Sequence, residues 1–475
     1  MNKYKKLAKN TIVFAIGSFG SKILVLFLTY LYTSNISSED SSTKELLEIT
    51  ANFLIPIFTF SMTEAIIRFG LDRNYSKRQV FTSSCCITAC GLILMFIISP
   101  LMKLVSLLDF IDGYLILLLV YVCMSSFRSL CSQFVRAKGM VKLFSFDGIL
   151  ATLTLFVFNI VFISVLGMGV KGFMLSVILS DFLSAVFLFT FARLHEYLNI
   201  KYFSPSLART MLKFAVPLIP TTVMWVITGF SDRLFIRYMH SGTVELGQSA
   251  AGIYGYATKI PNLISMISTI FFQAWNMSAI TENESDDRSI FYEKVYSSYQ
   301  SILFIASSFL VAGVQIITPL FVNTKRFPEY STVYLYTPIL VAAVLFMCLD
   351  QFLSSIYTAT KHTKNSFWTS LIACAANVIL NVILIPKYGI QGASIATLAS
   401  YLICYYIRIV DARRYVSFKV NNKLFTLNTL VLIGLCYAVV AKPMYYPVYL
   451  VCGFLFTLVC NYQAILTMVK KLLKR

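Results

Sequence analysis

The sequence predicts an all-α integral membrane protein: about fourteen transmembrane helices, forming two pseudo-symmetric six-helix bundles plus two C-terminal helices. Three observations carry this expectation. The chain is 58% hydrophobic and 15% aromatic with a mean hydropathy of +0.75, a composition foreign to soluble domains. Its apolar runs repeat at membrane-spanning length with no intervening stretch large enough for a soluble domain. Lys and Arg gather in alternate connecting segments, which places both termini in the cytoplasm by the positive-inside rule. The net charge of +19 is thus a topology signal, and nucleic acid is not an expected partner. Helices are the only spanning structure available without a closed barrel, because hydrocarbon offers backbone groups no other partner.

In order, the expected spans are 10–33, 46–67, 81–102, 113–135, 144–167, 171–192, 213–236, 250–277, 296–322, 335–357, 366–386, 391–410, 425–441 and 447–468. The basic N-terminus runs into a first span too long for a signal-peptide core, so that span is expected to be retained. Of the last four spans, 391–410 is charged at its end and 425–441 is short. The longest cytoplasmic connection, 193–213, contains an amphipathic stretch at 197–203 suited to the membrane surface. It divides a first lobe, 1–192, from a second, 213–410, with 193–212 as linker and 411–475 as two added helices and a basic tail. Pro217, Pro220 and Pro261 interrupt helices of the second lobe, where freed backbone groups could line a cavity.

The halves repeat faintly. Leu7-Ala-Lys-Asn-Thr and Leu212-Lys-Phe-Ala-Val each open a lobe, and Ala51-Asn-Phe-Leu-Ile-Pro can be set against Ala257-Thr-Lys-Ile-Pro. An even number of helices per half makes the repeat parallel, a layout used by transporters that rock around a central cavity.

Charges inside spans are the candidate functional residues. Lys22 stands midway along 10–32 and Lys259 within 250–277; a mid-membrane Lys costs about 2.5–3.5 kcal/mol on insertion scales. A water-filled cavity that receives an anion accounts for both, and Lys259 could alternatively pair with Asp232 on the preceding helix. Arg233, beside Asp232, is either an interfacial anchor or a group at the outer mouth. Arg68 follows Glu64 by one helical turn, the spacing of an intrahelical ion pair. Asp181 and Asp350 stand near the middle of spans; such acids either carry H+ or Na+ or hydrogen-bond neighbouring helices. Eleven cysteines and three histidines include no CxxC and no Cys/His ligand set, so neither metal nor cofactor is expected.

One block is more specific: Phe214-Ala-Val-Pro-Leu-Ile-Pro-Thr-Thr-Val-Met-Trp through Ser231-Asp-Arg-Leu, then Ala251-Gly-Ile-Tyr-Gly-Tyr-Ala-Thr-Lys-Ile-Pro, then Phe271-Phe-Gln-Ala-Trp-Asn-Met-Ser-Ala. It resembles the polysaccharide repeat-unit (Wzx-type) flippases of the multidrug/oligosaccharidyl-lipid/polysaccharide exporter superfamily. Gly17-Ser-Phe-Gly-Ser-Lys-Ile-Leu, Glu64-Ala-Ile-Ile-Arg-Phe and Pro386-Lys-Tyr-Gly-Ile-Gln-Gly-Ala-Ser extend the resemblance along nearly the whole chain. It implies alternating-access transfer of undecaprenyl-pyrophosphate-linked oligosaccharide between leaflets of the bacterial plasma (inner) membrane, for capsule, O-antigen or other surface polysaccharide. Glycosyltransferases and a polymerase are the implied partners. Peptidoglycan-precursor flippases are similar in having fourteen helices, a cationic cavity between two lobes, and a lipid-tail groove that would correspond to 425–468. On this resemblance Lys22, Lys259, Arg233 and Arg68 are expected to meet the pyrophosphate, Asp181, Asp350 and Glu64 to couple an ion, and Asp232 to form an ion pair. Two alternatives compete. A multidrug or toxic-compound cation antiporter of the same superfamily would favour acids over mid-span lysines. A membrane polysaccharide polymerase would present a large outside loop bearing Arg and His.

Overall fold

A computed structural model describes Leu24 and residues 27–473, other than 73, 103–105, 283–287 and 361. No β-strand occurs among the described residues. The chain folds as two compact units, Gly20–Leu234 and Phe235–Arg475. The first contains α1 (27–35), α2 (Ser38–Phe58), α3 (Met62–Leu71), α4 (Lys77–Met102), α5 (Leu115–Ala137), α6 (Val141–Asn159), α7 (Gly169–Phe191), α8 (Pro205–Ala215) and most of α9 (Ile219–Tyr238). The second holds α10 (Gln248–Ala257), α11 (Asn262–Glu282), α12 (Arg288–Ala312), α13 (Val314–Phe321), α14 (Val333–Ala359), α15 (Thr363–Tyr388), α16 (Ile390–Ala412), α17 (Asn422–Ala441) and α18 (Tyr446–Leu473).

Ten helical stretches among the described residues are long and apolar enough to cross a membrane, and eleven if α2 and α3 are one broken span. With exposed Ile93, Ile97, Ile379, Val382 and Leu430 on such helices, this is a multi-pass membrane protein whose outer faces suit lipid. The expected span at 10–33 lies mostly outside the described residues.

Local chemistry sets the helix ends. Ser37 caps α2 by accepting a hydrogen bond from the Asp40 N–H at 3.2 Å, with Glu39 and Asp40 in the first turn, where the helix dipole favours negative charge. That cap starts α2 eight residues before the apolar core expected at 46, and it brings Lys44 and Glu45 into the bundle. Between α2 and α3 the axis bends by 52°, with Phe60 and Ser61 both at φ 50°, the left-handed region that L side chains seldom occupy. The span expected at 250–277 breaks at 258–261, immediately before α11, as Pro261 foretells. The 193–213 connection is folded into two short 3-10 turns and α8. Thr82 of α4 donates to the Tyr197 carbonyl at 2.7 Å, while Leu198, Ile200 and Phe203 are exposed. In the second unit, Phe271, Trp275, Tyr299 and Phe352 form a stacked aromatic core, and the Trp275 indole N–H donates to Ser355 at 2.7 Å.

Candidate functional site

The first unit carries two layers of buried charge. In one, Lys44 is 2% exposed. Its ammonium lies 3.3 Å from Glu45 Oε1 and 3.2 Å from Glu48 Oε2. It also sits 4.6 Å from the centroid of the Tyr32 ring and 4.5 Å from that of Phe173. Arg233 of α9 approaches the other Glu45 oxygen, Oε2, at 3.5 Å and donates to the Gly229 carbonyl at 2.8 Å. Four helices, α1, α2, α7 and α9, thus contribute one group or more each. A buried cation is tolerated on such terms only, with carboxylates beside it and ring faces around it.

The second layer lies near the middle of α5 and α7. Arg128 contacts Asp181 Oδ1 at 3.0 Å and Asp147 Oδ2 at 3.7 Å, and its Nε donates to Ser184 at 2.8 Å. Ser125 donates to Asp181 and Ser184 to Asp147. Two buried carboxylates therefore share one guanidinium.

The second unit has its own buried pair. Arg408 of α16 meets Asp350 Oδ2 of α14 at 2.8 Å, with side chains 1% and 0% exposed. The rest of the guanidinium is spent on α15, donating to Thr369 Oγ1 and Ser370 Oγ at 2.8 Å each and to the Ser366 carbonyl at 3.1 Å.

Of the residues expected to act, Lys22 lies outside the described residues. Lys259 is half-buried in the break between α10 and α11, where its backbone N–H donates to the Tyr256 carbonyl at 3.0 Å. Asp232 is buried, and it and Lys259 belong to different compact units. Arg233 is brought together with Lys44 and Glu45, and Asp181 with Arg128 and Asp147. Asp350 is paired with Arg408. Glu64 and Arg68 both stand exposed on α3, at its first and last turns, and no ion pair joins them. The sequence analysis does not single out Lys44, Glu45, Arg128, Asp147 or Arg408. Lys44 falls just before the span expected at 46–67 and Arg408 at the charged end of the one expected at 391–410, since hydropathy marks the apolar part of a helix and not its ends. The available signals are the Ser37 cap and the Lys44–Glu48 spacing of one helical turn. Among the described residues no group of His, Cys, Asp and Glu could hold a metal ion.

No family model matches the chain. Two curated relatives are uncharacterized membrane proteins of Methanocaldococcus jannaschii. One is 26% identical over 264 residues, 53% of this chain and 60% of its own length; the other is 22% identical over 332 residues, 68% of this chain and 64% of its own. The matches therefore span under two thirds of either relative. Solved structures give wider likeness. The lipid II flippase MurJ in an inward closed conformation superimposes with a TM-score of 0.68 and 16% identity, covering 98% of this chain and 100% of that one. An inward-facing multidrug resistance MATE family transporter gives 0.63 and 15%, covering 88% and 98%. A transporter of the same superfamily from Pyrococcus furiosus, described by the reverse polarity of its binding pocket, gives 0.56 and 14%, again covering 88% and 98%. At these identities the likeness establishes architecture, and the fold of this chain is that of the MOP-superfamily transporters.

Proposed function

We propose that this protein is a membrane flippase that moves undecaprenyl-pyrophosphate-linked oligosaccharide from the cytoplasmic to the outer leaflet of a bacterial plasma membrane. The observation that carries this reading is the end-to-end likeness to a lipid flippase. MurJ is matched over 98% of this chain and the MATE transporter over 88%, a difference equal to the length of about two membrane helices. A lipid-linked substrate gives the two C-terminal helices, α17 and α18, a purpose as a seat for the lipid tail.

On this reading Lys22 and Lys259, with Arg233 and Arg68, supply the positive charge that a diphosphate needs when it leaves water. Transfer then proceeds by alternating access. Coupling to H+ or Na+ falls to the carboxylates: Asp147 and Asp181 share Arg128, so an added cation balances the second acid, with Asp350 and Glu64 as further candidates.

The test is leaflet transfer in proteoliposomes, using a fluorescent undecaprenyl-pyrophosphate oligosaccharide and a membrane-impermeant quencher. Wild-type protein should expose the inner-leaflet fraction, and Lys22→Ala and Lys259→Ala should each slow it by tenfold or more, about the effect of one charge-assisted phosphate contact. If both variants transfer at the wild-type rate, the cationic path is wrong. If the protein instead moves organic cations and leaves the lipid in place, the antiporter alternative stands.

A further inference from the structure

We propose that Lys44 is a tethered counter-ion occupying a binding site for small organic ammonium ions, and that it sets the charge selectivity of the first unit. The surroundings of its ammonium include two aromatic faces and two carboxylates, groups that recognise a free organic cation. Tyr32 and Phe173 meet each other edge to face, with centroids 5.8 Å apart, and both present rings to the ammonium at 4.6 and 4.5 Å. Glu45 and Glu48 lie at 3.3 and 3.2 Å. Rings and carboxylates at these distances attract a desolvated cation strongly. Of the three charged groups, only Glu48 reaches the surface, its side chain 37% exposed while those of Lys44 and Glu45 are 2% and 5% exposed.

The occupant comes from α2 itself, one residue before Glu45 and one turn before Glu48. It therefore competes at an effective concentration no solute reaches. With the ammonium of Lys44 in place, an external cation finds its site filled. Without it, Glu45 keeps Arg233 at 3.5 Å, and Glu48 loses its partner beside the two rings, which leaves the surroundings one negative charge in excess. Truncation to Ala removes three carbons and the ammonium, so n-propylammonium is the probe whose size and charge fit the space. This inference stands on the surroundings of Lys44 alone and holds whichever substrate the protein carries.

The experiment is ligand-induced thermal stabilisation of the full chain in detergent or nanodiscs. Lys44→Ala should gain a saturable rise in Tm with n-propylammonium, at an apparent affinity about tenfold or more above any wild-type response. 1-Propanol, of similar size without the charge, should give none, and adding Glu48→Gln to Lys44→Ala should weaken the gain. A Lys44→Ala protein that folds only when purified with n-propylammonium supports the site equally. Overturning results are a response no greater than that of wild type, an equal response to 1-propanol, or a Lys44→Ala protein that stays unfolded with n-propylammonium present throughout. The readout is binding, so failure of lipid transfer and failure of this inference are seen separately.

Discussion

At the scale of single residues, the chain uses arginine where one cation must satisfy several helices. Arg408 holds Asp350 of α14 with one nitrogen and Thr369, Ser370 and Ser366 of α15 with the others. The planar fork permits this, whereas a lysine ammonium could not reach all of them from one position. Deleting one partner of a fully buried pair leaves an uncompensated charge. Arg408→Met should therefore lower stability by roughly 3–5 kcal/mol, and Asp350→Leu with Arg408→Met should restore much of that loss because no charge is then stranded. Arg414, 73% exposed beside Asp411 at 3.6 Å, is the contrast: Arg414→Ala should cost no more than about 1 kcal/mol. Unfolding midpoints of the four proteins in one detergent decide between these outcomes; equal losses for Arg408→Met and Arg414→Ala would show that burial does not govern the Arg408 pair.

At the scale of elements, the bend between α2 and α3 depends on a close approach from α4. A Cβ at Gly91 would lie 1.8 Å from the Phe58 carbonyl oxygen and 3.0 Å from the Phe60 ring. Backbone cannot yield as a flexible side chain does, so α4 packs against the bend only because position 91 lacks a side chain. Gly91→Ala should cost about 1–3 kcal/mol or more through overpacking. Gly148→Ala, whose Cβ would meet nothing within 4 Å, should be close to neutral, and a Gly91→Ala protein with an unchanged unfolding midpoint would refute the close approach. The bend is illegible in the sequence, since Phe60 and Ser61 are neither Gly nor Pro and only tertiary packing holds them at positive φ. The break before α11 is legible because Pro261 marks it. Apolar length is enough to place spans such as α5, α7 and α14. It cannot place Lys44 or Arg408, whose burial comes from polar helix ends folding against partners distant in sequence. Asp181 is legible as a mid-span acid, but Asp147 and Arg128, its companions, become a site only when α5, α6 and α7 come together.

At the scale of the whole molecule, direction of transport depends on which face of the membrane each connection occupies. Between Lys201 and Lys325 the chain runs through α8 with α9, then the broken pair α10 and α11, then α12 with α13. If each group crosses once, the number of crossings is odd and the two lysines, both exposed, lie on opposite sides. By the positive-inside rule Lys201, within the basic connection at 193–213, is expected inside and Lys325 outside. Membership of the second unit also fixes the C-terminal pair to that unit. Asn428 and Asn461 exchange amide hydrogen bonds at 3.2 and 3.0 Å between α17 and α18. Ser308 of α12 donates to Thr457 of α18 at 3.3 Å, which ties the C-terminal pair to α12. Single cysteines at the two loop positions, in a background lacking the exposed Cys90 and Cys452, test the orientation. A membrane-impermeant maleimide added to intact cells should label Lys325→Cys and leave Lys201→Cys until the membrane is opened. Labelling of Lys201→Cys alone would invert the expected orientation and with it the proposed direction of transfer. Labelling of both would mean an even number of crossings between them, and one of the broken pairs would then enter and leave on the same face.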